Sequence, residues 1–162
     1  MAWDAFLKLQ GISGETRRAE HEEEVELQSF SMSGSNPASI GVGAGAGTGK
    51  VSLNGFTCTK YTDASSVDLF VGFCKGKHFE EAQVTLRKSG GEESLKFLVF
   101  KFKEVYVESY DWAGTAGSDD VPVETFTMAF GKVEIEYTQQ DERGAAAGTY
   151  SGGWDLVQNQ KI

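Results

Sequence analysis

The chain has 162 residues, 24 of them Asp or Glu against 15 Lys or Arg, for a formal net charge of −9. That balance argues against nucleic acid and anionic lipid as partners, both of which need a basic footprint, and no run approaches the roughly 20 apolar residues that cross a bilayer. A chain this long buries roughly 70 % of its unfolded surface, so one domain over 1–162 is expected to fold without staples; Cys58 and Cys74, neither in a CxxC pair, read as buried apolar residues.

Twenty glycines, two prolines and 12 % aromatics predict many strands joined by glycine-bearing turns. The opening MAWDAFLKLQGISGE has neither a basic start nor an apolar stretch of signal-peptide length. Synthesis in the cytoplasm and export that bypasses the general signal are therefore expected. Residues 2–9 alternate, with Trp3, Ala5, Leu7 and Leu9 on one face. The acidic run Glu20 to Glu24 reads as solvated surface. In 24–33, Val25 and Leu27 share a face whereas Phe30 and Met32 belong to the other. The same change recurs in 50–61, where Val51 and Leu53 give way to Phe56 and Cys58 at Gly55. It recurs in 94–110, where Leu98, Phe100 and Phe102 give way to Val105 and Val107, and in 123–137, where Phe126, Met128 and Phe130 give way to Val133, Ile135 and Tyr137 across Gly131.

A strand's side-chain period is two, so a changed apolar face marks a bulge or bend. Four long segments that each change face once describe strands curling from one sheet into another, as closed barrels require. The expected fold is mainly all-β, a β-barrel of two curved sheets. One short helix interrupts it: Ser65 and Asp68 fit a capping box, Val67, Phe70, Val71 and Cys74 fall at helical spacing, and Gly76 suits the C′ position. That helix, about ten residues long, is expected to cover part of the barrel. Strand 79–88 follows, with Ser89 to Glu92 as a hairpin turn. Residues 33–49 and 138–153, poor in core-forming side chains, read as long loops.

Three chemical motifs fail on inspection. Gly49-Lys50 has Ala44 where a P-loop needs its first glycine and Val51 where it needs a hydroxyl, and it precedes a strand. His21 stands among carboxylates, yet His78 is the only other histidine, and the run lacks the interleaved oxygens of a calcium loop. No G-x-S-x-G or Cys–His arrangement supports nucleophilic catalysis. No catalytic residue, metal or cofactor is expected.

From end to end the chain resembles the Hcp (haemolysin-coregulated protein) family of type VI secretion. The resemblance lies in Asp4-x-Phe6-x-Lys8 with Gly14-Glu15, in His21-x-x-Glu24 leading to Gln28-Ser29-Phe30-Ser31, and in Gly49-Lys50-Val51, Phe56-Thr57 and Thr59-Lys60-Tyr61 with Asp63 and Ser65. It continues through Gly76-Lys77-His78-Phe79, Val84 to Lys88 with Gly90-Gly91, then Leu98, Lys103-Glu104-Val105 and Val107, and closes on Gly153-Trp154 with Gln158-Asn159. It implies a tube subunit without an added toxin domain: a homohexameric ring that stacks with others, beneath a spike and inside a sheath, and carries small effectors into target cells. Synthesis in the bacterial cytoplasm and release by type VI secretion would follow. A closed ring needs a heterologous interface. Within the 33–49 loop, Gly41, Gly43, Gly45, Gly47, Gly49 and Lys50 are the candidate ring-stacking residues, because glycines let another backbone approach closely. Ser29, Ser31 and Ser33 alternate with Phe30 and Met32 and are the candidate lumen-facing residues. A glycan- or ligand-binding β-barrel that forms no tube is the alternative.

Overall fold

Alternation of apolar and polar side chains produces strands along most of the chain. In the computed structural model, which describes residues 2–39, 47–88, 94–118 and 121–162, they are β1 (Trp3–Leu9), β2 (Val25–Leu27), β3 (Ser29–Ser35), β4 (Ala38–Ser39), β5 (Gly47–Thr48), β6 (Ser52–Tyr61), β7 (His78–Lys88), β8 (Lys96–Ala113), β9 (Val123–Gln140), β10 (Ala146–Asp155) and β11 (Gln160–Lys161). One helix, α1 (Ser66–Lys75), lies between β6 and β7.

Every pairing is antiparallel, and the pairs run in a circle: β1 with β7, β7 with β8, β8 with β9, β9 with β6 and β6 with β3. Closure depends on a corner at Gln28. Before it, β2 pairs with β1; after it, β3 pairs with β6, and the Gln28 N–H donates to the Thr59 carbonyl at 2.7 Å. The expected barrel of two curved sheets is therefore present, and its corners fall where the apolar faces change. Gly55 (φ 82°) and Glu104 (φ 57°) occupy left-handed backbone at the turning points of β6 and β8. At Gly131, β9 exchanges its partner β6 for β10. Inside, Phe56 stacks on Phe30 at 5.2 Å and touches Phe102 at 5.0 Å, and Phe102 meets Phe130 at 4.8 Å. Ala5, Leu7 and Leu9 complete the core as expected, whereas Trp3 is exposed.

Several expectations need correction. The 138–153 segment is not a loop: β9 continues to Gln140 and β10 begins at Ala146, with a short turn between them and a register shift between Ala146 and Gly148. Its low apolar content suits an outer strand in close approach, since a Cβ on Gly153 would stand 2.7 Å from the Val133 carbonyl. Residues 33–49 likewise contain the end of β3 and the small β4–β5 ladder, with Ala38 opposite Thr48 and Ser39 opposite Gly47. Gly41, Gly43 and Gly45, and the turn assigned to 89–92 through residue 93, lie outside the described residues. The acidic run is not uniformly solvated either. His21 is buried and stacks on Phe6 at 4.4 Å, its Nδ1 bonds Glu24, and its Nε2 accepts from the Arg87 Nε–H at 2.6 Å. With both ring nitrogens engaged, His21 serves to seal Phe6 against solvent on the outer side of β1.

Helix α1 forms where expected, and Gly76 closes it in left-handed backbone (φ 62°). The cap differs. Ser65 makes no capping bond; its hydroxyl and N–H both donate to Asp63 Oδ1, and the Asp63 N–H donates to Ser66 Oγ at 2.9 Å. The buried face also differs, being Ser66, Leu69 and Gly72. Small residues allow the helix to sit close to the barrel, with Phe79 in contact at Gly72. Val67 is 67 % exposed, Phe70 42 % and Val71 39 %, and Cys74 is exposed as well. Cys58 is buried as expected, and burial pushes its thiol pKa far up.

Candidate assembly face

The second sheet is a strip of four strands: β3, β6, the first half of β9 and the second half of β8. Ser29, Ser31 and Ser33 are all exposed on its outer face, while Phe30 and Met32 turn inward and are half-buried. Register aligns them with further hydroxyls. One row runs Ser31, Thr57, Thr127, Ser109, and the next runs Ser29, Thr59, Thr125, Asp111. Thr57 and Thr127 share a hydrogen bond of 2.9 Å between hydroxyl oxygens, Thr59 and Thr125 one of 3.3 Å, and Asn54 Nδ2 donates to Ser33 Oγ at 3.0 Å. The threonines of each row thus hold one another in place, within a polar wall of short side chains. The serines were legible in the sequence; the threonines come from strands far away in the chain, and only register brings them alongside.

Both long edges of this strip are open. Among the described strands β3 pairs with β6 alone, and β8 beyond Tyr106 pairs with β9 alone, because β7 reaches only to His78 opposite Tyr106. Three successive antiparallel pairings separate β3 from β8, so the two edges run in opposite directions. Unpaired edges offer rows of backbone donors and acceptors to another chain.

Beneath one end of the strip lies a buried ionic cluster that the sequence reading missed. Lys60 and Glu124 are fully buried, and Lys60 Nζ donates to Glu124 Oε2 at 3.1 Å, Asp63 Oδ1 at 3.0 Å, Ser66 Oγ at 2.9 Å and the Tyr61 carbonyl at 3.1 Å. Glu124 also accepts from Ser66 Oγ at 2.6 Å and from the Tyr110 hydroxyl. Burial, then the hydrogen bond to Glu124 and its charge, push the Tyr110 phenol far above its usual pKa. These groups tie the first turn of α1 to β6 and β9. A signal existed: Lys60 falls on the inward parity of Phe56 and Cys58, and Glu124 on that of Phe126 and Met128.

Of the stacking candidates, Gly47 lies in β5, while Gly49 and Lys50 are exposed just before β6. The Gly49 N–H donates to the Pro37 carbonyl at 2.7 Å, closing the base of the β4–β5 arm. Lys50 leads into β6, where a phosphate cradle would open a helix. Between Met32 and Leu53 on one side and Ile135 and Trp154 on the other lies an apolar groove of about 460 Å³.

A sequence model of the family described as Type VI secretion system effector, Hcp, matches residues 6–137. Protein hcp1 of Pseudomonas aeruginosa is 41 % identical over 160 residues, 98 % of each chain. A solved structure described as that of a type six secretion system protein superposes with a TM-score of 0.93 at 31 % identity, over 99 % of this chain and 100 % of the other. Hcp1 from Salmonella typhimurium superposes with a TM-score of 0.81 at 30 % identity over the whole of both chains.

Proposed function

The chain belongs to the Hcp family of type VI secretion, and from that premise we propose that it is the structural subunit of the secreted inner tube, a hexameric ring that stacks and carries effectors. The observation that supports this reading most directly is the four-stranded strip with two open, oppositely directed edges. When the β8 edge of one copy meets the β3 edge of the next, the antiparallel alternation continues from chain to chain. One patch then meets a different patch, the heterologous geometry that generates rings. Two carboxylate-bearing β8 edges would repel if they met each other: Glu108 and Asp111 are exposed there, whereas no Asp or Glu occurs between Glu26 and Asp63, the stretch that includes β3.

In such a ring the hydroxyl face bearing Ser29, Ser31 and Ser33 lines the lumen, where short polar side chains suit passage of varied cargo. The β4–β5 arm, with Gly41, Gly43, Gly45, Gly47, Gly49 and Lys50, serves contact between rings. The whole chain acts as one domain over 1–162. It is made in the bacterial cytoplasm, leaves by type VI secretion, and meets spike, sheath and effector proteins on the way; its role is structural and non-enzymatic. Native mass spectrometry and sedimentation velocity test the ring: a species near six times 17.6 kDa is expected. A chain that stays monomeric at tens of micromolar counts against the tube and for a binding module.

A further inference from the structure

Helix α1 presents an apolar stripe to solvent. Val67, Phe70 and Val71 are exposed while Leu69, one turn-face away, is fully buried. Phe70 is seated at 5.8 Å from Tyr110 and 6.2 Å from Trp112, so the stripe is anchored to the open half of β8. Contiguous apolar surface of this kind on an otherwise acidic molecule marks a contact site. The opposite edge of the same strip has a matching surface. Along β3, Phe30 and Met32 are only half-buried, and Trp3, 39 % exposed, leans on Phe30 at 5.7 Å.

We infer that the outward stripe of α1 (Val67, Phe70, Val71) docks on Trp3, Phe30 and Met32 of a second copy of this chain. The inference rests on the ring reading and assigns the side chains that flank its backbone edges. Direction follows from the topology. α1 begins where β6 ends and leads into β7 at His78, opposite Tyr106, so it runs antiparallel to the second half of β8. A neighbouring β3 laid antiparallel on β8 runs parallel to that helix. Trp3, whose strand lies beside the start of β3, then stands near Val67, and Met32 nearer Val71. Both surfaces lie on the inward side of the strip, away from the hydroxyl wall, so the contact leaves the lumen free. Charge allows this occupant: Asp68 and Lys75 are exposed at the two ends of α1, and β3, which carries no charged residue, sets no like charge against either.

The test compares the full chain with a Val67→Asp/Val71→Asp variant by sedimentation across a concentration series. Both valines are exposed, so circular dichroism and the thermal transition of the dissociated chain should not change. The ring of the variant should dissociate at least about 100-fold more readily, as expected when central apolar anchors become charged. A second arm uses Trp3→Cys with Val67→Cys on a Cys74→Ser background: mild oxidation should give a ladder of covalently joined chains that ends at six. A variant ring as tight as the original, a variant whose rings persist while it loses capture by sheath protein, or the absence of the ladder from intact rings overturns this docking but leaves the ring reading standing. A wild-type chain that never forms rings sinks both.

Discussion

Lys60→Met isolates the contribution of the buried ionic cluster. The substitution keeps most of the side-chain volume and removes one charge that has no exposure. Glu124 keeps its bonds from Ser66 and Tyr110 but loses its one cationic partner among the described residues, and Asp63 loses the ammonium 3.0 Å away. Removing one member of a buried ion pair costs about 3–5 kcal/mol, because the remaining charge stays desolvated. With a urea m-value of roughly 2 kcal/mol per molar, the midpoint should fall by about 2 M. The assay is urea unfolding by circular dichroism at one fixed protein concentration, since ring formation adds stability that depends on concentration. Hydrogen exchange supplies the local readout: amides in the first turn of α1, tied to the cluster through Ser66, should lose protection more than those of β1. The companion Lys60→Met/Glu124→Gln should recover part of the loss, since a neutral amide removes the buried charge, its oxygen still accepts from one of the Tyr110 and Ser66 hydroxyls, and its NH2 can donate to the other. A midpoint within 0.3 M of wild type (a cost of about 0.6 kcal/mol at that slope), or equal losses in α1 and β1, would show that the cluster does not hold the helix to the barrel.

Phe30→Ala should cost about 2 kcal/mol in the same assay, less than the 3–5 of a fully buried phenylalanine, because Phe30 is half-buried and leans on Phe56. Ser31→Arg should leave stability within about 0.5 kcal/mol and keep the hexamer, since the site is exposed; placed six times around a lumen, it should change which effectors are recovered with the secreted protein, and unchanged cargo would move Ser31 out of the channel. Deleting residues 41–46 should leave the thermal transition nearly unchanged, since loop length itself costs little, while electron microscopy should show fewer stacked rings; an unfolded product would place the arm in the core instead.

The face changes at Gly55 and Gly131, and between Phe102 and Val105, were readable in the sequence because strand parity is a local property: each side chain's direction follows from its neighbour's. The same parity exposed Ser29, Ser31 and Ser33, and Gly76 announced the end of α1 because left-handed backbone favours glycine. Where a strand needs no apolar alternation, that signal disappears. β10 reads as a loop because glycine and polar residues suit a strand held by backbone bonds to β9. The helix misled for a related reason. Four apolar residues at helical spacing imply a buried stripe, yet the barrel takes the narrow side of Ser66, Leu69 and Gly72, and leaves the stripe outward. Nothing local tells an apolar face that packs within the chain from one that awaits another chain. The Lys60–Glu124 pair shows the same boundary from the other side. Inward parity was visible in each strand, but the two charges are 64 residues apart, and only the register of β6 on β9 makes them partners. Periodicity fixes which way a side chain points; what it meets is decided by long-range pairing, whose energy no single segment contains.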